Sequence, residues 1–168
     1  ESSSQTYADP LSLRAWAYQE FILSPRILDY GELRTTWICW ADDSPTDGFI
    51  STPTSYWSRQ RFQELFSPSV GANTVSPHQL WGTLVLCYMR SSITDPYDRL
   101  PSLAGIAERL NTIIQDDYIA GCWKSHIWLD LLWWQADGIS WLRPTEYFAP
   151  SWSWASIPNG DLNYVSTR

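Results

Sequence analysis

The chain is poor in charge, in cysteine, in histidine and in long apolar runs. Asp, Glu, Lys and Arg make up 17% of its 168 residues, below the usual quarter or so. What charge there is leans acidic: 18 Asp and Glu against 11 Lys and Arg give a formal net charge of −7. That sign excludes bulk attraction to nucleic acid, and no basic arm or polybasic patch serves an anionic membrane surface. Cys39, Cys87 and Cys122 are odd in number and far apart, which argues against a disulfide scaffold and for a reducing, cytoplasmic setting. His78 and His126 are the only histidines, and Cys122 is the one thiol near either of them in sequence, too few ligands for a metal site, which is not expected. The apolar runs at 84–89 and 127–134, the second interrupted by Asp130, fall short of the roughly 18 residues of a membrane span. A Walker loop, a dinucleotide glycine fingerprint and a Ser-His-Asp nucleophile elbow are all missing, and no cofactor is evident. The chain begins at Glu1 without a Met or a signal-like segment, so a piece of a longer protein lacking its N-terminal part is the expectation.

Tryptophan, by contrast, is abundant, with 12 residues, and hydrophobic residues reach 44%, enough for a real core. Asp9-Pro10 reads as a helix start, with Asp as cap and Pro at the first helical position; the helix is expected to run to about Leu23 and to end before Pro25. At 100° steps Leu13, Trp16, Ala17, Glu20 and Leu23 share one arc, which sets a carboxylate in the middle of an apolar face. Such a group is either paired, here with Arg14 or Arg26, or raised in pKa as a general acid or base requires.

Residues 26–30 and 35–40 read as a β-hairpin. The stretch 41–54 is a surface loop by composition. Its Asp42, Asp43 and Asp47 lack the glycine and terminal Glu of an EF-hand. A short helix is expected over 56–66. Ser76-Pro77-His78-Gln79 has the form of a capping box opening a helix, with Leu80, Trp81, Leu84, Val85 and Tyr88 at core spacing. Over 100–114, Leu103, Ile106, Ala107 and Leu110 repeat at helical spacing with Glu108 and Arg109 outward. Before this helix, Asp98 is placed to cap it or to pair with an arginine, and Arg99 adjoins it. Residues 125–134 read as a short apolar helix that takes His126 into the core. Trp152-Ser153-Trp154 reads as a strand with both indoles on one face, and 162–165 as a last strand.

The pattern predicts a mixed α/β chain, α+β within these residues. A helix and hairpin come first, then central helices, then a short Trp-rich sheet. The natural divisions are 1–40, a loop-rich 41–76 with a short helix, and a helical 77–168.

Several blocks fit one family. The segment 13–28, Leu13-Arg14-Ala15-Trp16-Ala17-Tyr18-Gln19-Glu20-Phe21-Ile22-Leu23-Ser24-Pro25-Arg26-Ile27-Leu28, resembles the "RaWtlQE…lspRil" segment that ends the fungal heterokaryon-incompatibility (HET) domain. Trp37-Ile38-Cys39 is similar to the "W.C" that follows it. Residues 98–107, residues 118–123 with Leu132-Trp133, and residues 147–156 resemble downstream blocks of many of these proteins. Trp16, Trp123, Trp133, Trp152 and Trp154 are the motif aromatics. The resemblance implies that 1–40 closes a HET domain whose parent fold is TIR-like α/β, and that the whole protein acts in non-self recognition and programmed cell death.

Some TIR domains cleave NAD using a glutamate. The resemblance therefore makes NAD a candidate substrate of the full-length protein. It gives Glu20 a position in the motif and not a role; the candidacy of Glu20 as catalytic residue rests on its carboxylate in the apolar face. The early "LSYvWG"-like and "WiD.iCINQ"-like blocks are missing, so the implied partners are the rest of the HET domain and other incompatibility proteins. Two other readings stand beside this one: a non-enzymatic interaction or scaffold module, and a carbohydrate-binding module built on exposed tryptophans.

Overall fold

Helices built on apolar stripes carry the core of this chain. Its computed structural model describes residues 14–30, 35–40, 54–67, 76–135, 144–157 and 162–164. The stripe of α4 (Pro101–Ile114) is the clearest: Ser102, Leu103, Ile106, Ala107 and Leu110 are buried, whereas Glu108 and Arg109 face outward as their spacing predicts. Pro101 occupies the first turn, and Gln115 ends the helix in the left-handed conformation at φ 54°. In α3 (Pro77–Tyr88) the predicted core residues Leu80, Trp81, Leu84, Val85 and Tyr88 are all buried. Ser76 flanks it as expected but makes no side-chain capping bond. The expected short helix is α2 (Thr54–Leu65). α3 packs against α2 and α4, and α1 (Ala15–Leu23) against α4 and α2.

The first helix departs from the sequence reading in two ways. It starts at Ala15, because Arg14 is extended and bridges Ser92, whose carbonyl accepts the Ala15 N–H at 3.0 Å. Its buried face is Ala15, Tyr18 and Ile22, not the arc through Trp16 and Glu20. This helix is apolar nearly all round, so its own periodicity does not select a face. Its neighbours do. The Tyr18 hydroxyl donates to the Leu84 carbonyl at 3.1 Å, and Arg59 of α2 donates to the Phe21 carbonyl and lies 5.1 Å from the Phe21 ring centre. With Tyr18 turned inward, Glu20 faces solvent.

Among the described residues the strands form small antiparallel pairs. The hairpin of β1 (Arg26–Tyr30) and β2 (Thr35–Cys39) appears where predicted, with Leu28 opposite Trp37. β3 (Tyr118–Ile119) and β4 (Cys122–Trp123) form a tight hairpin through Ala120 and Gly121, both at positive φ. β5 (Trp133–Gln135) pairs with β6 (Leu162–Tyr164), the last strand the sequence led us to expect.

The C-terminal half holds two corrections. The expected helix over 125–134 is a 3₁₀ turn (Lys124–His126), a single turn α5 (Ile127–Asp130) and then strand β5. The Trp152–Trp154 stretch is not a strand. Ser153 accepts the Ala155 N–H at 3.0 Å and caps a 3₁₀ turn (Trp154–Ser156), so Trp154 is buried while Trp152 is exposed. The chain is a mixed α/β fold with one apolar cluster running from Ala15 to Leu162. The Asp9 cap, Leu13 and the loop residues 41–53 lie outside the described residues.

Candidate functional site

The blocks that suggested a family meet in space. From α1, the Trp16 indole N–H donates to the Asp98 carboxylate at 3.0 Å, and the Gln19 side-chain oxygen accepts the Gly105 backbone N–H at 2.8 Å. Arg99 follows Asp98 into the interior, 3% exposed, and donates to the carbonyls of Ala155, at 2.8 Å, and Ile157. The Tyr88 hydroxyl donates to the Arg99 carbonyl at 3.1 Å. The Gly121 carbonyl accepts two indole N–H groups, from Trp81 and from Trp154, each at 2.9 Å. Ser153 donates to the Ala120 carbonyl at 2.6 Å, and Trp133 to the Trp152 carbonyl at 3.0 Å. Indoles, a hydroxyl and a guanidinium thus take up carbonyls that the short strands and tight turns leave without ladder partners, and the Gln19 amide meets an N–H inside α4.

The sequence-predicted residues sort as follows. Glu20 is exposed and, among the described residues, forms no ion pair with Arg14 or Arg26, themselves exposed; the expected buried pair is absent because α1 is rotated as described above. Asp98 does not cap α4, whose flanking residue is Leu100, and pairs with no arginine among the described residues; the Trp16 indole donates to it instead. Arg99 has no carboxylate partner among the described residues. Burial pushes its guanidinium below its ordinary value. Trp123 and Trp154 are fully buried, Trp133 is half-buried, and Trp16 and Trp152 are exposed.

A second cluster gave no signal in the spacing. His78, in the first turn of α3, stacks on His126 with ring centres 3.9 Å apart and planes at 26°. The expected core histidine of an apolar helix is therefore a half-buried stacking partner in a 3₁₀ turn. Trp123 and His78 form a T-shaped pair with ring centres 6.5 Å apart. Asp116 lies close by; the Ser125 hydroxyl and N–H, each at 2.7 Å, hold its carboxyl below the usual range. Asp130 of α5 is buried and accepts the Trp123 N–H at 2.8 Å. Burial raises its pKa to about 6, the Trp123 bond opposing. Burial also lowers His78, with the His126 ring adding to the effect and Asp116 opposing it, and pushes the Cys122 thiol up to about 12. The cluster holds titratable groups but no activated nucleophile: the neighbouring Ser125 hydroxyl donates to Asp116 rather than to an imidazole.

No group of three or more His, Cys, Asp or Glu among the described residues is placed to hold a metal ion, and no described helix is long and apolar enough to cross a membrane. No family model, curated protein or solved structure matches the chain.

Proposed function

We propose that the chain belongs to a fungal heterokaryon-incompatibility protein acting in non-self recognition and cell death, and that its own part is a non-enzymatic scaffold. In this reading the HET-terminal helix and hairpin dock on the downstream helices, and the rest of the HET domain is the partner that completes the effector. The observation that carries it is the bond set Trp16–Asp98, Gln19–Gly105 and Arg99–Ala155. It ties together the separate blocks on which the resemblance rests, and each of these side chains spends its polar group on a contact within the chain.

The test is expression in a host cell of the full-length protein, wild type against Glu20→Gln. Glu20 is exposed, so the variant should keep its stability within about 0.5 kcal/mol, kill as the wild type does and leave the NAD level where the wild type leaves it. An equally stable variant that no longer consumes NAD, where the wild type does, would make Glu20 catalytic and return the NAD-hydrolase reading.

Carbohydrate binding is a second reading, favoured by the exposed rings of Trp16, Trp128, Trp134 and Trp152. Titration with glycans followed by tryptophan fluorescence decides it: saturable quenching supports sugar stacking, and an unmoved spectrum removes it.

A further inference from the structure

We propose that the stacked pair His78–His126 is an acid-sensitive latch between the first turn of α3 and the 3₁₀ turn before α5, closed with at most one proton on the pair and opened by the second. Nothing in this inference depends on the functional reading above.

The geometry sets the argument. Ring centres at 3.9 Å with planes at 26° allow two neutral imidazoles, or one neutral and one charged, to stack. Two imidazolium ions at that separation repel each other, and the half-buried position weakens solvent screening. His78 also sits in the first turn of a 12-residue helix, whose dipole disfavours a cation there.

The surroundings decide how the protons distribute. From the turn ahead of β3, Asp116 favours a charged His78, but Ser125 already occupies its carboxylate. Asp117 in the same turn is engaged by Lys124 at 2.8 Å. From α5, Asp130 interacts with His126 while accepting the Trp123 N–H. The β3–β4 hairpin holds Tyr118 and Cys122, both kept protonated by burial, and Trp123, whose ring is T-shaped to His78. Only the ring of one histidine stands directly over the other. Among the described residues the second proton therefore meets only the partial compensation of Asp116 and Asp130, each already held by another donor, and the contact that joins α3 to the 3₁₀ turn is the one that gives way.

The chain has two histidines, so proton NMR of the whole chain shows two imidazole ring systems, and His78→Gln and His126→Gln assign them. In the wild type, the NOE between the two rings should persist through the first protonation and vanish with the second, together with a shift of the Trp123 indole N–H signal. His126→Gln should raise the His78 midpoint, because it removes the neighbouring charge that opposes protonation of His78. His126→Phe keeps an aromatic ring without a proton site and should abolish the acid transition at Trp123. Asp130→Asn, which removes the buried carboxyl that titrates on the same side of neutrality, should leave it in place. A ring–ring NOE that survives both protonations overturns the latch, as does a His78 midpoint unmoved by His126→Gln or an acid transition unchanged in His126→Phe. The wild-type NOE decides the matter even where a variant fails to fold.

Discussion

The side-chain oxygen of Gln19 reaches across 86 residues of sequence to accept the backbone N–H of Gly105 at 2.8 Å. A Cβ on Gly105 would lie 2.9 Å from that oxygen and 3.1 Å from the Leu23 side chain. A glycine inside a helix costs about 1 kcal/mol relative to alanine, and here the close approach of α1 accounts for it. The same approach turns Tyr18 into the core and Glu20 out to solvent.

Among the described glycines, Gly121 is the one least tolerant of a side chain. Its φ is +94°, and a Cβ would stand 2.7 Å from Nε1 of the fully buried Trp154. Backbone strain of about 1–2 kcal/mol adds to overpacking of about 1–3 kcal/mol. Gly121→Ala should therefore destabilise the chain by roughly 3 kcal/mol, read as a fall in the urea midpoint at unchanged slope. A midpoint within error of the wild type would mean that Trp154 can move aside freely.

Arg99 is a buried cation without a carboxylate partner among the described residues, so two effects compete on its removal. Arg99→Met relieves the buried charge but leaves the Ala155 and Ile157 carbonyls without their donor, at about 1–3 kcal/mol each. The carbonyl loss should win, with a net destabilisation of about 2–4 kcal/mol in chemical denaturation. A stabilised variant would mean that the uncompensated charge outweighs both hydrogen bonds.

How much of this was legible in the residues follows from how many solutions each pattern had. α4 and α3 were readable because their apolar stripes are single: Leu103, Ile106, Ala107 and Leu110 on one, Leu80, Trp81, Leu84, Val85 and Tyr88 on the other. α1 was not, because Trp16, Ala17, Tyr18, Phe21, Ile22 and Leu23 surround its axis, and the buried face is chosen by Gly105 and Leu84 from elsewhere in the chain. The apolar run at 127–134 suits helix and strand alike; it divides into one helical turn and a strand whose partner is β6. Period-2 reading failed at Trp152 and Trp154 because the Ser153 hydroxyl bonds its own backbone, the habit that makes serine a cap. The histidine stack is a purely tertiary contact, and no spacing rule reports it.

Asp130 should leave a mark on the pH profile. Its folded pKa is about 6 against an ordinary 3.8, so the fold favours the protonated carboxyl. Its contribution is full below about pH 4, is lost as the pH rises to about 6, and changes no further above that. The loss at neutral pH is about 1–3 kcal/mol. His78 acts in the opposite sense: its pKa is lowered, so its contribution is present above its ordinary 6.5 and falls away on acidification. Urea midpoints across pH 4–8 should show Asp130→Asn gaining on the wild type from pH 4 to 6 while the acid-side fall due to His78 remains. Parallel profiles for the two proteins would contradict a buried, raised Asp130.

The docking of α1 onto α4 is tested most directly by a double-mutant cycle on Gln19 and Gly105 in urea unfolding. In the wild-type background, Gly105→Ala gains about 1 kcal/mol of helix propensity and loses a hydrogen bond of about the same size, so the midpoint should hardly move. In the Gln19→Ala background the 2.9 Å approach is gone and only the flexible end of Leu23, at 3.1 Å, has to give way, so the same substitution should stabilise the chain by up to about 1 kcal/mol, a coupling of about that size between the two sites. Equal gains in both backgrounds would contradict the contact, and with it the account of the family-like blocks as parts of one scaffold.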